Sequence, residues 1–172
     1  MTPPRQETQV ESGVQSSNGT PDAAEPRARL LPYGVLSGVY VAAVGAFLWR
    51  YRDRLPKEIS PRDLALIGVA SHKTSRTIAK DKVTAPLRAP FTEHEGDAGP
   101  GELEESPRGA GMQHTVGELI SCPFCLDQWI ATGYAAGLVA APQATRFVAG
   151  IMATVAISDF LQIAYKVSEE KL

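Results

Sequence analysis

Twenty consecutive residues, Leu30 through Trp49, carry no charge, and Arg50, Arg52 and Arg54 follow at once. A bilayer core takes roughly 20 apolar residues to cross as helix, and Lys and Arg gather on the cytoplasmic flank because translocating them is costly. An apolar run with a basic stop predicts a transmembrane helix over 30–49 and makes the lipid bilayer the chain's first partner. The hydrophobic fraction, 44% of 172 residues, would suit a soluble protein equally well, so the information lies in its segregation. Residues 1–29 and 91–108 are polar and rich in Pro, Gly, Ser and Glu. Such stretches bury too little surface to offset their ordering entropy. The first is expected to be a disordered N-terminal tail, lacking the short apolar core of a cleavable signal peptide.

Two more apolar windows follow. Gln128–Thr145 is uncharged and broken only by Pro142, Phe147–Tyr165 is interrupted only by Asp159, and Arg146 stands between them. They read as a transmembrane helical hairpin over 128–166 with a C-terminal tail, 167–172. Two basic residues precede the first span (Arg27, Arg29) and five follow it (Arg50, Arg52, Arg54, Lys57, Arg62). That asymmetry puts the N-terminus outside and the segment 50–127 in the cytoplasm. Three spans then return the C-terminus, with Lys166 and Lys171, to the cytoplasm. Small residues recur at every fourth position: Gly34, Gly38, Ala42, Ala46; Gly133, Gly137, Ala141; Gly150, Thr154, Ser158. In lipid, such faces let helices approach closely, which predicts a compact bundle and a possible homo-oligomer.

Within 50–127 one helix is well signalled, over 60–82. Ser60 can cap it, Pro61 suits the first helical position, and Asp63 stands near the positive end of the helix dipole. Leu64, Ile67, Ser71, Thr74 and Ile78 share one side, whereas Lys73, Arg76 and Lys80 share the other. Two readings stand: an amphipathic helix in the inner headgroup layer with its basic stripe toward anionic lipid, or a helix packed on the bundle. Lys82–Pro90, with Pro86 and Pro90, reads as an extended connector. The acidic Gly/Pro stretch 91–107 reads as a solvated loop. Its carboxylates fit no calcium-loop spacing.

Few residues are candidates for chemistry. Cys122 and Cys125, the only cysteines, form a C-x-x-C pair at a helix start, where the dipole is expected to lower a thiol's pKa. A zinc site needs two more ligands, for which His114 and His72 are the candidates. A redox catalyst normally needs a βαβ frame, and no strand pattern supplies one. Two reduced cysteines packed at the membrane interface is the simpler alternative. Asp159 is the one ionisable group deep in a span, so it should find a partner such as Arg76 or serve a proton or ion path. Trp129 suits a headgroup-level anchor. A net charge of -2, with no aromatic residues interleaved among basic ones outside the helices, argues against nucleic acid as a partner.

Several stretches taken together, Ser71-His72-Lys73, Ile78 to Thr84, Pro86 to Phe91, Glu95-Gly96, Gly99 to Glu102, Pro107 to Gly109, Cys122 to Cys125 with Trp129, and Ser158 to Phe160, carry a resemblance. Over about residues 60–166 the chain resembles the YjcA-like bacterial membrane proteins, a family named after a sporulation protein and otherwise a domain of unknown function. The resemblance implies membrane residence and a bacterial source, and supplies no catalytic residues, cofactor or sporulation role. The expectation is therefore an all-α, multi-pass protein of the bacterial inner membrane with three transmembrane helices, a cytoplasmic amphipathic helix, a disordered tail and an acidic loop. It is expected to be a non-enzymatic interaction or scaffold protein meeting another membrane protein. The alternatives are a thiol or zinc protein using Cys122 and Cys125, and a small transporter using Asp159.

Overall fold

The computed structural model describes residues 26–170. The expected disordered tail therefore lies almost wholly outside the described residues. Four of its residues, 26–29, already belong to the first helix, α1, which runs Pro26–Tyr51. A turn of 3-10 helix at Arg52–Arg54 and then Pro56 end it. Helix α2 spans Pro61–Lys80 and starts as expected: the Ser60 side chain accepts the Asp63 N–H at 3.1 Å, with Pro61 in the first turn. Its buried residues, Asp63, Ile67, Ala70, Ser71, Ser75 and Ala79, form one stripe, and that stripe packs along the last two helices. Of the two readings of this helix, packing on the bundle is the one observed.

The connector after α2 is not extended. It is a 3-10 turn, Lys82–Thr84, followed by the one-turn helix α3, Ala85–Arg88. Proline restrains the residue before it but is well suited to a first helical turn, and Pro86 takes that position. The acidic stretch is likewise not a loop. Strands β1, Thr92–Gly99, and β2, Glu102–Pro107, form an antiparallel hairpin whose register pairs Thr92 with Pro107, His94 with Glu105 and Asp97 with Leu103. Pro100 and Gly101 make the turn, and Gly101, with φ of 81°, supplies the left-handed position that a type II turn requires. Helix α4, Met112–Ser121, leads with no intervening loop beyond Cys122 into α5, Pro123–Ala140, and a break at Ala141 leads into α6, Pro142–Glu169. The C-terminal tail thus contributes three more residues, 167–169, to helix than expected.

The four long helices alternate in direction. Tyr33 of α1 donates to Glu118, just ahead of α5, and Tyr40 bonds Thr132 at 2.7 Å and packs edge-on against Trp129 at 5.0 Å. Helices α1 and α5 therefore run the same way. Asp63 pairs with Arg146 near the starts of α2 and α6, and Lys73 pairs with Asp159 further along both, so these two run together as well. The arginine collar of residues 50–62 and the α5–α6 turn consequently share one end of the bundle. The hairpin, α4, Cys122, the start of α1 and the end of α6 occupy the other. Helix α2 carries the chain from the collar end of the bundle to the hairpin end, within the segment 50–127 that the basic flanks lead one to expect on one side of a membrane.

Two helices, over Leu30–Arg54 and Pro142–Glu169, are long and apolar enough to cross a membrane. Helix α5 stops at Ala140 and carries Asp127 and Gln128 in its first half, which removes it from that class. The small-residue faces also shift. A methyl group added at Gly34, Gly38, Gly133 or Gly150 would meet nothing within 4 Å, so these positions face outward. The face α6 buries is Ala149, Ala153 and Ala156, adjacent to the expected one. Only Gly137 makes a close approach, to Thr145 across the α5–α6 turn.

Candidate functional site

The charged residues singled out from sequence gather at the hairpin end. Lys73, Arg76 and Lys80 follow one another at helical spacing, and each has a different use. Lys73 reaches α6, with its Nζ 2.9 Å from Asp159 and 3.7 Å from Asp81. Arg76 makes a two-pronged contact with Glu102, both bonds 2.7 Å. Lys80 lies 3.2 Å from Glu104. Lys82 continues the series with Asp97 at 2.8 Å and holds that carboxyl below its ordinary pKa. The partner of Asp159 is thus Lys73, not Arg76, which is committed to the hairpin.

At the centre of this layer sits Arg88, fully buried. Its Nε donates to Glu105, and its Nη1 donates to the carbonyls of Ile78 (2.7 Å) and Asp81 (3.2 Å) and to the Thr84 hydroxyl (2.6 Å). The carbonyls are those left open where α2 ends, so one guanidinium caps a helix and fastens strand β2 to it. Its Nη2 has no partner. A second clasp closes the collar end, where Arg146 donates twice to Asp63 at 2.9 Å. The Arg146 guanidinium, and to a lesser degree the Ser60 hydroxyl, hold the Asp63 carboxyl down to about 2 against a burial effect that opposes them. Sequence reasoning used Asp63 only as a helix-start residue. It passed over Arg88, whose one visible signal was a basic residue fixed between Pro86 and Pro90.

The cysteines lie at the same end. Cys122 is extended (φ -103°, ψ 105°) and caps α5, its sulfur accepting the Cys125 N–H at 3.3 Å. Cys125 is exposed and Cys122 half-buried. The Cys125 thiol is pushed up to about 11 by the neighbouring Cys122 sulfur first, then by burial and by Glu118. The expected lowering by the helix dipole is outweighed because a second sulfur occupies the head of the helix. The histidines do not join the pair. His72 stacks on Phe160, ring centres 6.5 Å apart, and His114 lies 3.6 Å from Glu118. Among the described residues, no three His, Cys, Asp or Glu side chains are grouped so as to hold a metal ion.

Fold and site together define a small helical-bundle protein with two helices apolar enough for a bilayer and a charged hairpin layer closing one end. The chain belongs to the family described as Protein of unknown function (DUF1360), which matches residues 66–165, from the second turn of α2 to near the end of α6. It is 28% identical over 103 residues to Sporulation protein YjcA of Bacillus subtilis (strain 168), an alignment covering 58% of this chain and 86% of that relative. No solved structure matches it.

Proposed function

We propose that the protein is a multi-pass component of the bacterial inner membrane that acts by binding another membrane protein or a second copy of itself, without catalysis. The observation that carries this reading is the outward surface of α1 and α6. Leu31, Val35, Val39, Leu48 and Trp49 on α1 and Phe147, Ile151, Phe160, Leu161 and Val167 on α6 are exposed there, and at 1.5 Å per residue these faces run about 27 and 30 Å, close to the thickness of a bilayer core. Water is a poor solvent for such faces, whereas acyl chains and partner helices suit them. In this reading α1 and α6 face lipid, and α2 and the less apolar α5 pass between the same two ends packed against them, four passes in all. We place the arginine collar in the cytoplasm, because the short α1–α2 connection concentrates Arg50, Arg52, Arg54 and Lys57. The N-terminus is then outside, as the basic flank suggests, and the hairpin layer and the end of α6 lie outside with it, which departs from the cytoplasmic hairpin segment and C-terminus expected from the sequence.

The polar chemistry supports a structural role for the charged layer: Lys73, Arg76, Lys80, Lys82 and Arg88 each face a carboxylate of this chain. Anionic lipid headgroups would have to compete with those partners. A transport reading draws on the Lys73–Asp159 pair, an ion pair between two helices of the bundle. It predicts that Asp159→Asn abolishes flux in vesicles while the protein still inserts. The leading reading is tested by detergent-free ultracentrifugation followed by crosslinking in native membranes. The chain should pellet with membranes and give a discrete crosslinked species. Recovery in the supernatant, or a monomer alone, would overturn it.

A further inference from the structure

We infer that Cys122 and Cys125 form a reversible dithiol–disulfide site, reacting with the disulfide of a small thiol, at the corner that joins the hairpin layer to the bundle. The inference does not depend on the scaffold reading, and its test uses a different readout. Cys122 occupies the cap position of α5 and Cys125 the third helical position, and the side chains at these two positions face each other across the first turn. A disulfide needs its Cβ atoms about 3.5–4.5 Å apart, closer than the roughly 5–6 Å of residues three apart within a helix, and Cys122, extended at the cap rather than helical, is free to turn its side chain toward Cys125. The Cys125 N–H already points at the Cys122 sulfur at 3.3 Å. Closing the bond draws the two side chains together across the first turn of α5.

Access and position distinguish this pair from packed thiols. Cys125 is exposed, Phe124 between the two cysteines is 91% exposed and Cys122 is half-buried, so among the described residues nothing covers the approach to Cys125. A catalyst of thiol exchange needs a supporting frame to set its potential, but a switch needs only two facing sulfurs and an approach path. The corner itself has mechanical meaning. Helix α4 is pressed against the hairpin, since a side chain at Gly117 would overlap the Phe91 carbonyl, and Glu118 ties α4 to Tyr33 of α1. Only Cys122 separates α4 from α5. A bond from Cys122 to Cys125 therefore staples the joint between the hairpin layer and a long helix.

The chemistry balances as a two-electron exchange. The Cys122 thiolate attacks one sulfur of the external disulfide and expels the first small thiolate, forming a mixed disulfide. The Cys125 thiol then gives up its proton and attacks the Cys122 sulfur, expelling the second. The chain loses two hydrogens and the co-reactant becomes two thiols.

The test equilibrates the full-length protein, in mild detergent, with glutathione buffers from fully reduced to fully oxidised. Acid quench, alkylation and intact mass then count free thiols, and a parallel sample is assayed for zinc. The expected result is a monomeric species lacking two hydrogens and both alkyl groups, appearing with one midpoint and disappearing on re-reduction. Cys122→Ser and Cys125→Ser should each abolish that species. Amide exchange in Ser121–Leu126 should slow on oxidation. Two alkylatable thiols at every ratio would overturn the inference. So would oxidation ending only in glutathione adducts or crosslinked dimers, or one zinc per chain that blocks oxidation of both thiols.

Discussion

Arg88 concentrates more of the hairpin's attachment than any other side chain. Its guanidinium is fully buried beside Glu105, which is itself only 6% exposed at the side chain, and it also holds the last carbonyls of α2. Removing one partner of a buried pair leaves the other charge without compensation, at a typical cost of about 3–5 kcal/mol. Arg88→Met should therefore lower unfolding stability in mild detergent by that amount. The double variant Arg88→Met with Glu105→Leu should recover a substantial part, because no orphan charge remains. If Arg88→Met alone changes stability by less than about 1 kcal/mol, the keystone role is wrong. The clasp at the other end titrates. Asp63 has its carboxyl depressed to about 2 in the folded chain against an ordinary 3.8, with Arg146 the first cause. A depressed acid stabilises the fold above its unfolded value, so the contribution is complete above about pH 4 and disappears as pH falls through about 2. Following the Asp63 carboxyl by NMR should give a midpoint near 2, and in Arg146→Gln a midpoint shifted up toward the ordinary range. An unshifted midpoint in that variant would show that Arg146 is not the cause.

At the scale of elements, the hairpin is held by charge rather than by a hydrophobic face. Its strands read Thr-Glu-His-Glu-Gly-Asp-Ala-Gly and Glu-Leu-Glu-Glu-Ser-Pro, with no apolar alternation and low strand propensity. An isolated two-stranded hairpin is marginal in water, so partners have to come from elsewhere. They come from Arg76, Lys80, Lys82 and Arg88, residues legible in sequence only as the basic side of an amphipathic helix and its continuation. That is why the hairpin was missed although Pro100-Gly101 marked its turn: pairing partners distant in sequence leave no local period. The α2 start was legible because Ser60, Pro61 and Asp63 act within one turn. The apolar spans of α1 and α6 were legible because length and composition define them. The end of α5 was placed five residues late, since Pro142 opens the next helix rather than interrupting one. Helix α4 had no expectation at all. Its fit against the hairpin is nonetheless tight enough to test. A Cβ at Gly117 would overlap the Phe91 carbonyl oxygen and lie 3.1 Å from the Pro107 Cβ, and neither backbone can turn aside cheaply. Gly117→Ala should cost about 1–3 kcal/mol as an overpacking change. Gly133→Ala, where nothing lies within 4 Å, serves as its control and should be neutral or slightly stabilising. Equal stability of the two variants would remove the close approach.

For the whole molecule, direction decides topology. Because Tyr33 meets Glu118 while Tyr40 meets Thr132 and Trp129, α1 and α5 must begin at the same end. If both cross the bilayer, the collar after α1 and the cysteines before α5 lie on opposite faces, whichever face is cytoplasmic. A count of basic flanks along the chain carries no information on helix direction, because it treats everything between two spans as one loop. Here α2, twenty residues and so about 30 Å long, runs from the collar end of the bundle to the hairpin end within that interval. The geometry is open to a labelling experiment with an impermeant maleimide on spheroplasts and on inverted vesicles. Native Cys125 should label from one side only. In a Cys122→Ser and Cys125→Ser background, the thiol of a Leu55→Cys variant should label only from the other. With the collar inside, Cys125 reports in spheroplasts and the Leu55→Cys thiol in inverted vesicles. The reverse pattern would invert the orientation and keep the bundle. Labelling of both from one face would mean that α1 and α5 do not cross the same membrane in this arrangement, and the membrane reading would then have to place the bundle on the surface.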